Sequence, residues 1–70
     1  MNLKLKLKIL ERFRYQADFA MAAKLREERL SRIITGRVRP SPEEMQRIAS
    51  LLNAQVEELF PQDADHAASA

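Results

Sequence analysis

Ser41-Pro42-Glu43-Glu44 constrains this chain more tightly than any other stretch. A serine in that place accepts from a backbone N–H three residues on, proline brings its preset φ to the first helical position, and Glu44 can reach back to the serine N–H. The spacing predicts a helix that begins at Pro42, carries Met45, Ile48, Ala49 and Leu52 on one side, and ends near Asn53. Five residues upstream of Ser41 stands Gly36, the only glycine in the sequence. It sits where a preceding helix needs a left-handed residue after its last turn. A helix stop so close to a helix start leaves room for one short loop. The fold expected of such a chain is all-α, built from short helices with tight connections.

The other helices follow from periodicity. Before Gly36, Leu30, Ile33 and Ile34 fall on one side of a helix over about Glu27–Thr35, and before that Phe19, Ala20 and Ala23 share a face over about 16–23. The gap between these two helices, around Lys24–Arg26, has the length of a helix-turn-helix connection. A last short turn presents Val56, Leu59 and Phe60 before Pro61 stops it. The first segment, LKLKLKI, is ambiguous, because it alternates with period two as a half-buried strand does. Leu3, Leu7, Leu10 and Phe13 also make one helical stripe, and no second strand offers itself as a partner. A helix with that stripe inward is therefore expected. The result is a compact bundle of five short helices over residues 1–60, with 61–70 a disordered tail that has no apolar period. Seventy residues hold one core and bury only about 60–65% of the unfolded surface, so oligomerisation would help.

Several functions are excluded by what the chain lacks. It has no cysteine and one histidine, His66, placed in the tail, so neither a thiolate nor a paired-histidine metal site is expected. There is no Gly-rich phosphate loop. Glu27/Glu28, Glu43/Glu44 and Glu57/Glu58 are sequence neighbours on helices, and adjacent helical residues do not converge on one point. Neither an enzyme nor a cofactor-binding protein is expected. No apolar run approaches the ~20 residues of a membrane span. Lysines interrupt the leucines of MNLKLKLKIL, which is unlike a signal peptide. A cytoplasmic protein of prokaryotic or viral origin is expected.

Charge distribution points to a partner. Residues 1–39 carry eleven Lys/Arg against four acids, a net +7, while 40–70 carry one arginine against six acids, a net −5. Such polarity suits a module that sets one side on phosphates, although a short chain can be polar by chance. The positive charge concentrates in KLREERLSRIITGRVRP, residues 24–40. With Leu30 set inward at 3.6 residues per turn, Glu28, Arg32 and Thr35 point outward, and Arg29 and Glu27 take opposite shoulders. Arg37 and Arg39 follow in the loop. A short helix with a polar ridge, flanked by arginines, suits a DNA major groove.

On these residues a family resemblance can be stated. SRIITGRVRPSPEEMQRIASLLNAQVEELF, residues 31–60, resembles the second half of the lambda-repressor/Cro-like (XRE family) helix-turn-helix domain. ILERFRYQADFAMAAKL, residues 9–25, resembles its first half, and the likeness spans about residues 5–60. It implies a lambda-repressor-like five-helix DNA-binding domain whose third helix enters the major groove of double-stranded DNA. By the family's pattern, Gln16, Glu27, Glu28 and Arg32 are base-contact candidates. Arg26, Arg29, Thr35, Arg37 and Arg39 are backbone-contact candidates. Three positions depart from the pattern. Lys24 and Asn53 stand where glycine is common, and Arg14-Tyr15 replaces a Gly-Ser that caps the second helix. A lysine at 24 must take a positive φ or reshape the turn, at about 1 kcal/mol.

Three readings of the two glutamates stay open. They favour a helix N-terminus through its dipole, and Glu28 can hold Arg32 at i, i+4. They can accept from cytosine N4 while Arg32 reads guanine. Or they weaken DNA binding. Lys4, Lys6 and Lys8 likewise suit phosphates, a lipid surface or plain solvation, with the leucines expected in the core. The expected function is a sequence-specific transcriptional regulator, acting as a dimer through Val56, Leu59, Phe60 and the fourth helix, unless those residues close the core. The rival is a protein-interaction module, such as an antitoxin-like partner, with acidic residues 57–65 as its contact surface.

Overall fold

The computed structural model describes residues 1–61. Among them are five helices and no strand: α1 (Leu3–Arg12), α2 (Gln16–Ala22), α3 (Glu27–Thr35), α4 (Pro42–Leu51) and α5 (Val56–Leu59). The expected tail, Pro61 apart, lies outside the described residues. The start of α4 is as its sequence requires. Ser41 Oγ accepts from Glu44 N at 3.2 Å, and the Glu44 carboxylate accepts from Ser41 N at 2.8 Å.

One turn geometry ends three of the helices. At α3, Arg37 N donates to Arg32 O and Gly36 N to Ile33 O, with Gly36 at φ 83°. At α2, Leu25 N donates to Ala20 O and Lys24 N to Met21 O, with Lys24 at φ 58°. At α4, Ala54 N donates to Ala49 O and Asn53 N to Ser50 O, with Asn53 at φ 51°. Each is a Schellman motif, which uses up the last free carbonyls and reverses the chain in a few residues. Leu25 and Ala54, just past the left-handed residue, pack against the core. Lysine therefore accepts a left-handed backbone, strained by about 1–2 kcal/mol, because the turn between α2 and α3 needs it.

The core gathers Leu5 and Ile9 of α1, Phe19, Ala20 and Ala23 around α2, Leu30, Ile33 and Ile34 of α3, Ile48, Ala49 and Leu52 around α4, and Leu59 and Phe60. No polar or charged side chain is buried among the described residues. The first segment is a helix, but its inward stripe differs from the expected one. Leu3, Leu7 and Leu10 are each more than half exposed, while Leu5 and Ile9 are fully buried. The reason lies at its two ends. Asn2 caps α1 through its side-chain oxygen, donates its amide to Leu59 O at 2.6 Å, and donates its N–H to Ile34 O at 2.6 Å. At the other end Phe13 meets Phe19 edge-on, with ring centroids 5.1 Å apart. With both ends tied, the helix turns Leu5 and Ile9 inward. Phe13 belongs to either stripe, so it could not discriminate between them.

Candidate nucleic-acid interface

Helix α3 is held from three sides. Its apolar stripe is buried, its C-terminal carbonyl at Ile34 accepts from Asn2, and Arg29 forks onto α4. In that fork Arg29 Nε donates to Glu44 Oε2 at 2.6 Å and Nη2 to Oε1 at 2.8 Å. Arg29, expected among the backbone contacts, therefore forms a strut between α3 and α4, with its side chain still 42% exposed. Its shoulder position on α3, turned toward α4, is what puts it there. Hydrogen bonds from Arg29 hold the Glu44 carboxyl well below its ordinary 4.5, at about 2, with the Ser41 N–H adding to the effect. Glu44 thus serves two helices, as the third residue of one and the anchor of the other.

The outward side of α3 remains open. Gln16, Arg26, Glu27, Glu28, Ser31, Arg32, Thr35 and Arg37 line one concavity of about 640 Å³. Seven of the nine expected site residues meet there, and Arg29 and Arg39 do not. Arg39 lines a different groove, with Asn2, Leu3, Val38, Pro40 and Phe60 among its neighbours. Gln16 is half-buried and the other concavity residues are exposed. Ser31 was missed, although one step of 100° from the inward Leu30 places it on the same ridge.

The local charges are arranged in steps. No side chain caps the N-terminus of α3, and Glu27 and Glu28 occupy its first turn, where the helix dipole favours them. Arg32 Nη2 lies 4.0 Å from Glu28 Oε2, with both side chains well exposed. That contact orients the guanidinium with little stabilisation, because water screens it. Thr35 donates its hydroxyl back to Arg32 O at 3.2 Å. Behind the ridge, Arg47 Nε donates to Ala23 O at 3.0 Å and so fixes the end of α2 onto α4. Sequence patterning carries no signal for that bond, which joins residues far apart in the chain.

Two helices packed across a tight turn, with the second offering an open polar ridge, define the motif. A helix-turn-helix family profile matches residues 14–59, well over half of the chain. The chain belongs to the lambda-repressor-like helix-turn-helix family. No curated protein and no solved structure matches it at a significant level. The helix-turn-helix family is one of DNA-binding regulatory domains, and the all-α, five-helix fold of this member agrees with it.

Other expected surfaces fare differently. In this helix-turn-helix domain Leu59 and Phe60 are buried and Val56 is half-buried, which agrees with the expected alternative that they close the core. Lys4 and Lys8 approach Glu58 at 3.5 and 3.8 Å. The Glu58 carboxyl is held below its ordinary value first by the Gln55 backbone N–H and then by these lysines. Asp63, Asp65 and His66, part of the expected acidic surface and tail, lie outside the described residues. No helix among the described residues is long and apolar enough to cross a membrane.

Proposed function

We propose that the protein is a sequence-specific transcriptional regulator of the cytoplasm, occupying an operator by setting α3 into the major groove. The observation that carries this reading is the concavity beside α3, where Gln16 of α2, Glu28, Ser31 and Arg32 of α3, and Arg37 of the following loop come together. Arg32 is the residue to read guanine, by two parallel hydrogen bonds to O6 and N7. Glu28 sets its direction and accepts from a neighbouring cytosine. Gln16, at the start of α2, reaches a base or the adjacent phosphate. Arg26, Thr35 and Arg37 lie on the rim of the ridge and serve the sugar-phosphate backbone.

A domain of this size makes few contacts alone, so it acts as a dimer on a pseudo-palindromic site with half-sites about one helical turn apart. Selection of bound duplexes from a random DNA pool tests the reading. A recurrent motif with two-fold symmetry is expected. Binding to that motif should weaken with salt by a log–log slope of about −0.9 for each phosphate neutralised. A pool that stays random after repeated rounds at low salt would refute it.

A further inference from the structure

Helix α1 has two apolar faces, and only one is used. Leu5 and Ile9 enter the core, whereas Leu3, Leu7 and Leu10 are 57%, 53% and 52% exposed. Their spacing of four and then three residues is that of a coiled-coil seam, with Leu7 at a and Leu3 and Leu10 at d. Lys4 and Glu11 then fall at the e positions and Lys6 at g. Lys4, together with Lys8, is already drawn to Glu58 of α5. Among the described residues, Lys6 and Glu11 have no ion-pair partner in their own chain.

Those two leftover charges are opposite in sign, sit on opposite edges of the seam, and lie five residues apart. When two helices pair in parallel, a g residue of one faces the following e residue of the other. Lys6 of each copy then meets Glu11 of the other, twice by symmetry. An antiparallel pair instead sets Lys6 against Lys6 and leaves Glu11 only Lys4, which Glu58 already holds. We infer that the α1 seam is a homodimer interface, on which a second copy of the chain docks with the two α1 helices parallel.

The exposed leucines, with Met1 beside them at 74% exposure, form an apolar patch on the order of a few hundred Å², the size at which such patches mark interaction sites. Covering it twice gives an interface on the order of 1,000 Å², at the low end for specific association. The dimer is therefore weak and concentration-dependent. A lipid surface suits this face less well, since Glu58 offsets one of the two charges of Lys4 and Lys8 and Glu11 stands on the rim.

Sedimentation equilibrium of the full chain without DNA tests the inference, and its outcome is separate from that of the DNA-binding reading. The mean mass should climb from monomer toward dimer between micromolar and millimolar protein. Leu7→Lys should stay monomeric with unchanged helicity and melting, because Leu7 is outside the core. Glu11→Lys should weaken the dimer by about tenfold. Adding Lys6→Glu to Glu11→Lys should restore it, since the swapped charges match again only in a parallel pair. A wild type that remains monomeric throughout overturns the inference. So does a Leu7→Lys variant that dimerises normally, or a double swap no stronger than Glu11→Lys. Leu7-dependent binding of monomers to phosphatidylglycerol vesicles in place of self-association overturns it as well.

Discussion

Glu44 is the side chain on which the most depends. Its carboxylate completes the cap of α4 and receives both guanidinium bonds of Arg29. Glu44→Ala removes both, and unfolding in urea should show a loss of about 2 kcal/mol, half from the cap and half from the screened ion pair. Its pKa is depressed to about 2 from 4.5, so its contribution is complete above pH 4.5 and disappears as pH falls toward 2. Melting curves taken down through that window should therefore converge for the wild type and Glu44→Gln. Lys24 makes a prediction of opposite sign. At φ 58° a lysine carries strain that glycine does not, so Lys24→Gly should stabilise the fold by about 1 kcal/mol, or roughly 4–8 °C in melting temperature. The family resemblance, in which glycine is common at position 24, points to either a strained lysine or a reshaped turn there, and the backbone takes the strained form. The Arg29–Glu44 fork could not be read from the sequence, because helical geometry gives the shoulder on which Arg29 sits but not which neighbour packs there.

At the scale of the element, the helices of local origin were legible and their facing was not always so. The Ser41 cap, the Gly36 stop and the Leu30-Ile33-Ile34 stripe are local devices, and α3 ends and α4 begins where they require. Helix α1 carries leucine or isoleucine on two sides, so its rotation is decided by contacts at a distance, namely Asn2 with Leu59 and Ile34 and Phe13 with Phe19. On α3 the ridge was legible, since outward residues follow from an inward stripe. In the loop beyond it, Arg37 is exposed on the rim of the concavity. Arg37→Ala should weaken binding to every DNA sequence alike and reduce the salt slope by about one unit, as filter binding over a salt series can measure.

The whole molecule is a small scaffold that spends its core on presenting one ridge. Three Schellman turns, the Asn2 tie and the Arg47–Ala23 bond hold α2 and α3 against the rest, and seven expected site residues meet in the concavity beside α3. Family membership of the chain and the all-α fold agree with a DNA-binding role, and the central claim is that α3 reads bases through Arg32. Affinities of the wild type and Arg32→Ala for a selected operator and its single-base variants test that claim most directly. The wild type should lose about 1–3 kcal/mol when the guanine under Arg32 is replaced. Arg32→Ala should bind the intact operator more weakly by a similar amount and become indifferent to that base alone. Equal sensitivity to that base in both proteins, or a loss by Arg32→Ala that is uniform across all sequences, would contradict it.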